Sequence, residues 1–234
     1  YEISACLVGS EMCIRDSNNT MTQYENEVKK RDVMCCMNAG NQGCGRKWSR
    51  MRIITDTGTD ILDKEAKKLG IELVAIRSNF TDTVFSENTE AEFTRFYDKL
   101  RQTDTLPVSS QPSPAEFLEL FEDVKEKQEE VVVITISSKL SGTYNGAMLA
   151  KDMAEYDNIY VVDSLQASLS ERLLVEYAVK LRDAGMGAKE LVRKLEQDRE
   201  RVILTGVPST LLYLKMGGRI SPVSYTHLRA HETG

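Results

Sequence analysis

From Met51 onward the chain repeats one pattern. A short apolar run rich in β-branched residues is followed by a longer stretch whose apolar positions recur every three or four residues. The runs RIITD (52–56), IELVAIRSNF (71–80), VVVITI (131–136), IYVVD (159–163) and RVILTGV (201–207) predict strands. A first helix is predicted over 60–69, with Ile61, Leu62, Ala66 and Leu69 on one face and Gly70 placed for a C-terminal cap. Thr89 and Glu92 have capping-box spacing ahead of a helix that turns Phe93, Phe96, Tyr97 and Leu100 inward. Ser113, Pro114 and Glu116 open another helix, which buries Phe117, Leu120, Phe121 and Val124. A helix after Ser141-Gly142-Thr143 places Tyr144, Ala147 and Met148 inward, and two more, over 168–184 and 187–200, flank an Ala184–Gly187 turn. Strands alternating with amphipathic helices predict an α/β fold, a mostly parallel sheet flanked by helices.

Residues 1–50 lack this pattern and are read as an artefactual or disordered N-terminal extension. CLVGSEMCIRDS near the start and PVSYTHLRAHETG at the end read as translated sequencing-adapter sequence, which sets residues 222–234 aside as an artefactual tail. All five cysteines (Cys6, Cys13, Cys35, Cys36 and Cys44) and Trp48 precede residue 51, so no disulfide framework holds the patterned region. Cys35, Cys36 and Cys44 lack the paired spacing of a zinc site. Both histidines, His227 and His231, fall in the tail. Met51–Ser221 therefore has no Ser–His or Cys–His pair and no histidine-ligated metal. A net charge of −6 argues against a nucleic-acid partner. No uncharged apolar run approaches the roughly 18 residues of an integral membrane segment. No signal-peptide pattern is found, and a cytoplasmic protein is expected.

In an open α/β sheet the binding crevice lies outside the carboxyl ends of the strands. Predicted strand ends carry Asp56-Thr57-Gly58-Thr59, Ser137-Ser138-Lys139, Asp163-Ser164 and the turn after Val207, and the loop Ser109-Ser110-Gln111 can fold over the same edge. Asp56, Asp163 and Ser141 each have an ordinary reading as a helix cap, and Ser109 and Ser110 as turn residues. Ser141-Gly142-Thr143 adds more than a cap. Gly142 lets another group approach the backbone, and a helix N-terminus offers free N–H groups and the positive end of a dipole to an anion. SSKLSGTY does not supply the glycine and lysine spacing of a phosphate loop, and KLSGT lacks the first glycine of a nucleophile elbow. A carboxylate needs only a few donors. Three readings stay open on these residues: a carboxylate binder, a phosphate- or nucleotide-binding module, and a serine hydrolase or acyltransferase using Ser141.

RIITDTGTD, LPVSSQPSPAEF, ISSKLSGTYNGA, VVDSLQAS and LYLKMGGRIS occur in that order across residues 51–221. With them the chain resembles the DegV family of bacterial fatty-acid-binding proteins. The resemblance implies an α/β lipid-head-group domain over 51–165 and, over 166–221, the start of a second, α+β domain. It implies a binder of a long-chain fatty acid such as palmitate, not an enzyme, with no cofactor or metal. Ser141 would hold the carboxylate with Ser109 as the second contact, where the family usually has threonine. Ser110, Gly142, Thr143 and Asp56 complete the head-group set, and Arg219 matches a family arginine near it. A fatty-acid kinase is the implied partner. The family also has a second-domain histidine, for which His227 is no substitute.

Overall fold

Strand β1 (Met51–Asp56) leads into a single 3-10 turn (Thr57–Thr59) and then helix α1 (Asp63–Leu69). The helix begins three residues later than its apolar pattern predicts. The turn ends with Asp60 in the left-handed region (φ 57°), and Leu62 stays extended while its N–H donates to Glu65 Oε2 at 3.0 Å. Gly70 (φ 61°) closes the helix as expected, its N–H reaching the Ala66 carbonyl. Elements from Met51 are described over residues 51–103, 106–205, 211–221, 223, 224 and 226 in this computed structural model. The expectations for residues 1–50, for both histidines and for the turn after Val207 lie outside those residues.

The run at 71–80 is not one strand. It divides into β2 (Glu72–Val74) and β3 (Arg77–Asn79), which belong to different sheets. Thr57 Oγ1 accepts the Ile76 N–H at 2.9 Å and so holds the joint between them. The chain then forms β4 (Val84–Phe85), α2 (Glu90–Gln102), β5 (Val108–Ser110) and α3 (Pro114–Glu126). Next come β6 (Glu130–Thr135), α4 (Thr143–Ala154), β7 (Ile159–Asp163), α5 (Leu169–Asp183) and α6 (Ala188–Asp198).

The main sheet has the order β2-β1-β6-β7, and every pairing is parallel. Alternation along β6 divides its side chains between two cores. Val131 and Val133 join Phe117, Phe121 and Val124 of α3 and Ala147, Ala150 and Ala154 of α4. Val132 and Ile134 face the other way, toward Ala66 of α1 and Ile61 just before it. The result is the parallel sheet with helices on both faces that the pattern predicts. Arg52, on β1, ties the layers at one end: it grips Glu72 of β2 at 2.7 and 2.6 Å and Asp123 of α3 at 2.6 Å.

Two expectations about the later chain are corrected. The sequence places the helices from 168 onward in a second domain. In the structure Val175, Ala178 and Leu181 of α5 and Leu191 and Leu195 of α6 are buried with Ile53, Val132, Ile134 and Val162. They cover a sheet face that a parallel sheet cannot leave bare. The described residues up to Leu204 form one compact unit, and those from Thr205 belong to another. The strand expected at 201–207 is also absent as far as Thr205. A 3-10 turn (Arg199–Arg201) precedes irregular chain, the Gln166 amide takes the Arg199 and Val202 carbonyls, and Ile203 is 82% exposed. The second unit contains α7 (Leu212–Met216).

A small antiparallel sheet, β4-β3-β5, forms an excursion between β2 and α3. Phe80, Phe85 and Phe96 pack there with ring centroids 5.5–5.7 Å apart. Tyr97, expected inward, is 51% exposed, because this narrow sheet is already covered by the phenylalanines. Thr89 caps α2 through the Glu92 N–H, and Ser113 and Glu116 form the reciprocal box at α3.

Because α6 is part of the first core, Leu191→Ala is expected to lower its unfolding free energy by about 2–5 kcal/mol. Urea unfolding followed by far-UV circular dichroism checks this. An unchanged main transition would mean that α6 is not part of this core.

Candidate functional site

The strand order places a topological switch at the centre of the sheet. From β1 the chain moves to β2 on one side, and it later returns to β6 on the other. The segments leaving β1 and β6 therefore diverge to opposite faces, and a crevice opens between the two carboxyl ends. Ile134 of β6 lies beside Thr55 of β1, so the turns that follow them, Asp56–Thr59 and Ile136–Thr143, border that crevice.

Asp56 supports the crevice from beneath. It is fully buried, and its two carboxylate oxygens accept the Gly58 N–H and the Ile136 N–H, each at 2.8 Å. The sequence placed it among head-group contacts, but its oxygens instead join the ends of β1 and β6. Burial pushes its pKa up to about 6 against the opposing effect of these two hydrogen bonds. Asp163 has a similar bridging role. Its Oδ1 accepts from Ser138 N and Leu165 N, both at 3.1 Å, and so joins the turns after β6 and β7.

Ser141, Gly142 and Thr143 form the entry to α4. Ser141 Oγ lies 2.9 Å from Thr143 Oγ1, and the Thr143 N–H donates to Ser141 Oγ at 3.4 Å. Thr143 is buried and Ser141 half-buried, so the outer hydroxyl of this pair is that of Ser141. Gly142 is the N-cap residue and supplies no side-chain cap, so apart from the Thr143 N–H that Ser141 Oγ accepts, the first turn presents the positive end of the helix dipole. The nearest hydroxyl partner of Ser141 is a second hydroxyl, not a base.

The other hydroxyl segment arrives on β5. Ser109 stands opposite Ser78 of β3 and is exposed, while Ser110 Oγ accepts from Asn79 Nδ2 at 2.9 Å. Glu116 anchors this arm. It closes the box with Ser113, accepting the Ser113 N–H at 2.8 Å, and it also forms an ion pair with Arg77 of β3. The Arg77 guanidinium pulls the Glu116 carboxyl down to about 2. Beyond Ser110 the chain crosses the start of α4. A Cβ built on Gly142 would overlap Gln111 Oε1 and lie 3.0 Å from Gln111 Cδ, and one built on Gly146 would lie 3.6 Å from the Pro112 carbonyl. The structure thus brings the segment that follows β5, Gln111 and Pro112, against the start of α4. Arg219 lies in the second unit, where its Nη1 donates to the Gly217 carbonyl at 2.6 Å.

Two residues of this region carried no role in the sequence reading. Gln111 was named only as part of a turn, and nothing in its spacing shows that its amide would fill the space Gly142 leaves. Glu171 looks like an ordinary acid in the first turn of a helix. It is instead fully buried, and its carboxyl oxygens have no hydrogen-bond partner among the described residues. A Cβ on Gly58 would lie 2.7 Å from Asp56 Oδ1 and 3.2 Å from Glu171 Oε2, so the two carboxyls flank that glycine. Among the described residues no cluster of acidic, cysteine or histidine side chains could hold a metal, and no helix is long and apolar enough to cross a membrane.

Burial, with the negative charges of Asp56, Asp60 and Asp163, pushes the Glu171 carboxyl up to about 10 from an ordinary 4.5. The folded chain therefore keeps a proton that the unfolded chain releases across that interval. Stability on this account falls as pH rises from 4.5 to about 10, then levels off. Glu171→Gln removes the titration. The variant is expected to match the parent chain near pH 5 and to exceed it at pH 9 by on the order of 5 kcal/mol. Urea titrations across that range check this, and a difference independent of pH would show that Glu171 does not titrate there.

The protein-family model described as "Uncharacterised protein, DegV family" matches residues 50–231. A DegV domain-containing protein of Caldanaerobacter subterraneus is 33% identical over 172 residues, covering 74% of this chain and 61% of the relative. A solved Thermus thermophilus DegV family protein, described for its fatty acid binding, superposes with a TM-score of 0.63 at 28% identity, over 75% of this chain and 62% of that one. The Streptococcus pneumoniae Fatty Acid Kinase (Fak) B3 protein loaded with linoleic acid superposes with a TM-score of 0.61 at 26% identity, over 75% and 63%. The chain spans about three fifths of the length of the curated relatives it matches. With the family model matched over most of the chain, and with the fold and motif order in agreement, the chain belongs to the DegV family.

Proposed function

We propose that the protein binds a long-chain fatty acid such as palmitate and presents its carboxylate to a fatty-acid kinase. The observation that carries this reading is that two hydroxyl-bearing segments are joined at the start of α4 through the contact of Gln111 with Gly142. One is the Ser141–Thr143 pair at the N-terminus of α4, and the other is the end of β5 with Ser109 and Ser110. Such an edge suits a small anion, and the helix N-terminus adds a favourable dipole. Ser141 and Ser109 are the direct contacts in this reading, and Gly142, Thr143 and Ser110 shape them. Asp56 holds the turns from beneath. Arg219 is assigned to the head group on its motif alone.

Support also comes from the relatives. The T. thermophilus protein is described by its fatty acid binding, and the S. pneumoniae B3 protein carries linoleic acid and a kinase name. The role is that of a ligand binder, not an enzyme. Ser141 has Thr143 beside it, and the histidines of the chain are confined to positions 227 and 231.

Magnitudes divide the work between head and tail. Each buried methylene contributes about 0.8 kcal/mol, so a 16-carbon tail supplies on the order of 10 kcal/mol before ordering costs. A hydrogen bond to the carboxylate adds about 1.5–3 kcal/mol. The tail supplies most of the affinity, and the hydroxyls decide which end faces the partner.

Ser141→Ala is expected to weaken palmitate binding by about tenfold. It should impair phosphorylation of the bound acid by a fatty-acid kinase still more. Equilibrium dialysis with radiolabelled palmitate and a coupled kinase assay check both effects. Parent-level phosphorylation by the variant would sink the presentation role, and stabilisation by inorganic phosphate but not by palmitate would sink the fatty-acid reading.

A further inference from the structure

We infer that Gln111 is a specificity-determining residue of the head-group site, the neutral amide that lets this edge accept a carboxylate. The inference rests on the fatty-acid reading and deepens it. Gln111 follows directly from the β5 end that carries Ser109 and Ser110, and its side chain lies where a Cβ of residue 142 would be. Its Nε2 would be 3.1 Å from that Cβ and 3.9 Å from one built on Gly146. Two glycines one helical turn apart thus open a shelf on α4, and the amide rests on it. Glycine at 142 permits an approach to the helix backbone that any side chain would block. The approaching group within this chain is the Gln111 amide.

The other flank of Gln111 faces solvent, since the residue is exposed although its amide touches Gly142. The amide therefore lies at the entry to α4, one residue after Ser110 in the chain and against the residue that follows Ser141. Its chemistry matters because carboxylates already serve the neighbouring turns. Asp56 joins the turns after β1 and β6, and Asp163 braces the turn after β6. A further negative charge at position 111 would face the ligand carboxylate at short range. A neutral amide adds no repulsion and has N–H donors to offer.

The test is a charge swap of nearly equal shape. Gln111→Glu in the full chain is assayed by equilibrium dialysis with radiolabelled hexadecanoate and, in parallel, with hexadecanol, whose head is uncharged. The expected result is at least about a tenfold loss for the acid with the alcohol changed by less than about twofold. Gln111→Met keeps the length and removes the amide, and is expected to lose several-fold for the acid alone. It also serves if the first variant does not fold, as judged by its thermal melt. Equal losses for acid and alcohol in the folded variants would show a packing role only and overturn the inference. So would unchanged binding of both. If Ser141→Ala weakens the acid while both Gln111 variants bind it normally, only the inference falls. If the parent chain binds neither ligand, the fatty-acid reading falls and the inference falls with it.

Discussion

The Asp56 carboxylate is the constraint on which the binding edge depends. It terminates β1, accepts the N–H of the next turn from Gly58, and accepts the N–H of Ile136 where β6 ends. Those two strand ends are where the strand order switches sides, so nothing in the parallel ladder itself fixes the turns beyond them. A buried, hydrogen-bonded carboxylate does so with directional bonds. Removing it would leave two backbone donors without their acceptor, at a cost of about 1–3 kcal/mol for each buried one. The position of Ser141 relative to the first turn descends from that joint, because the Ser141 N–H returns to the Ser137 carbonyl at 3.1 Å just beyond it.

Around this joint the polar groups largely bind backbone. Asp163, Ser164 and Gln166 bind the turns after β6 and β7 to one another. Ser168 Oγ reaches Asp60 at 2.5 Å, and its N–H reaches the Gly58 carbonyl at 2.9 Å, which closes the same ring of loops. The Ser141 hydroxyl and the serines of β5 stand at the rim of that ring. Glu171 is the exception, a buried acid with no partner among the described residues, kept protonated by its surroundings.

How much of this was legible follows from how local each signal is. Apolar periodicity located β1, β6, β7 and the helices to within a few residues, because each buries a face over its whole length. The cap at Thr89 and the box at Ser113 were legible because capping chemistry lies within four residues; the return half of a box at Thr89 does not form, since the Glu92 carboxyl takes the Ser86 N–H instead. The division of 71–80 was not, because it depends on Thr57, some twenty positions earlier, holding Ile76. The placement of α5 and α6 was missed for a similar reason: an amphipathic helix shows that it covers something, not which sheet it covers. Of the site, the Ser141–Thr143 turn was visible as a glycine between hydroxyls at a strand-to-helix junction. The seating of Gln111 on Gly142 is a contact across about thirty residues and leaves no periodic trace.

The two arms of the site stand on foundations of different strength. Ser141 opens a twelve-residue helix backed by three alanines fully buried against the main core. Ser109 sits on a three-residue strand, in a sheet whose other strands have three and two residues. Segments with few buried contacts open locally at a fraction of the global unfolding cost. The lighter arm is therefore expected to fray on a clock separate from that of the molecule's own unfolding. The phenylalanine cluster beneath the small sheet would set the pace of that clock.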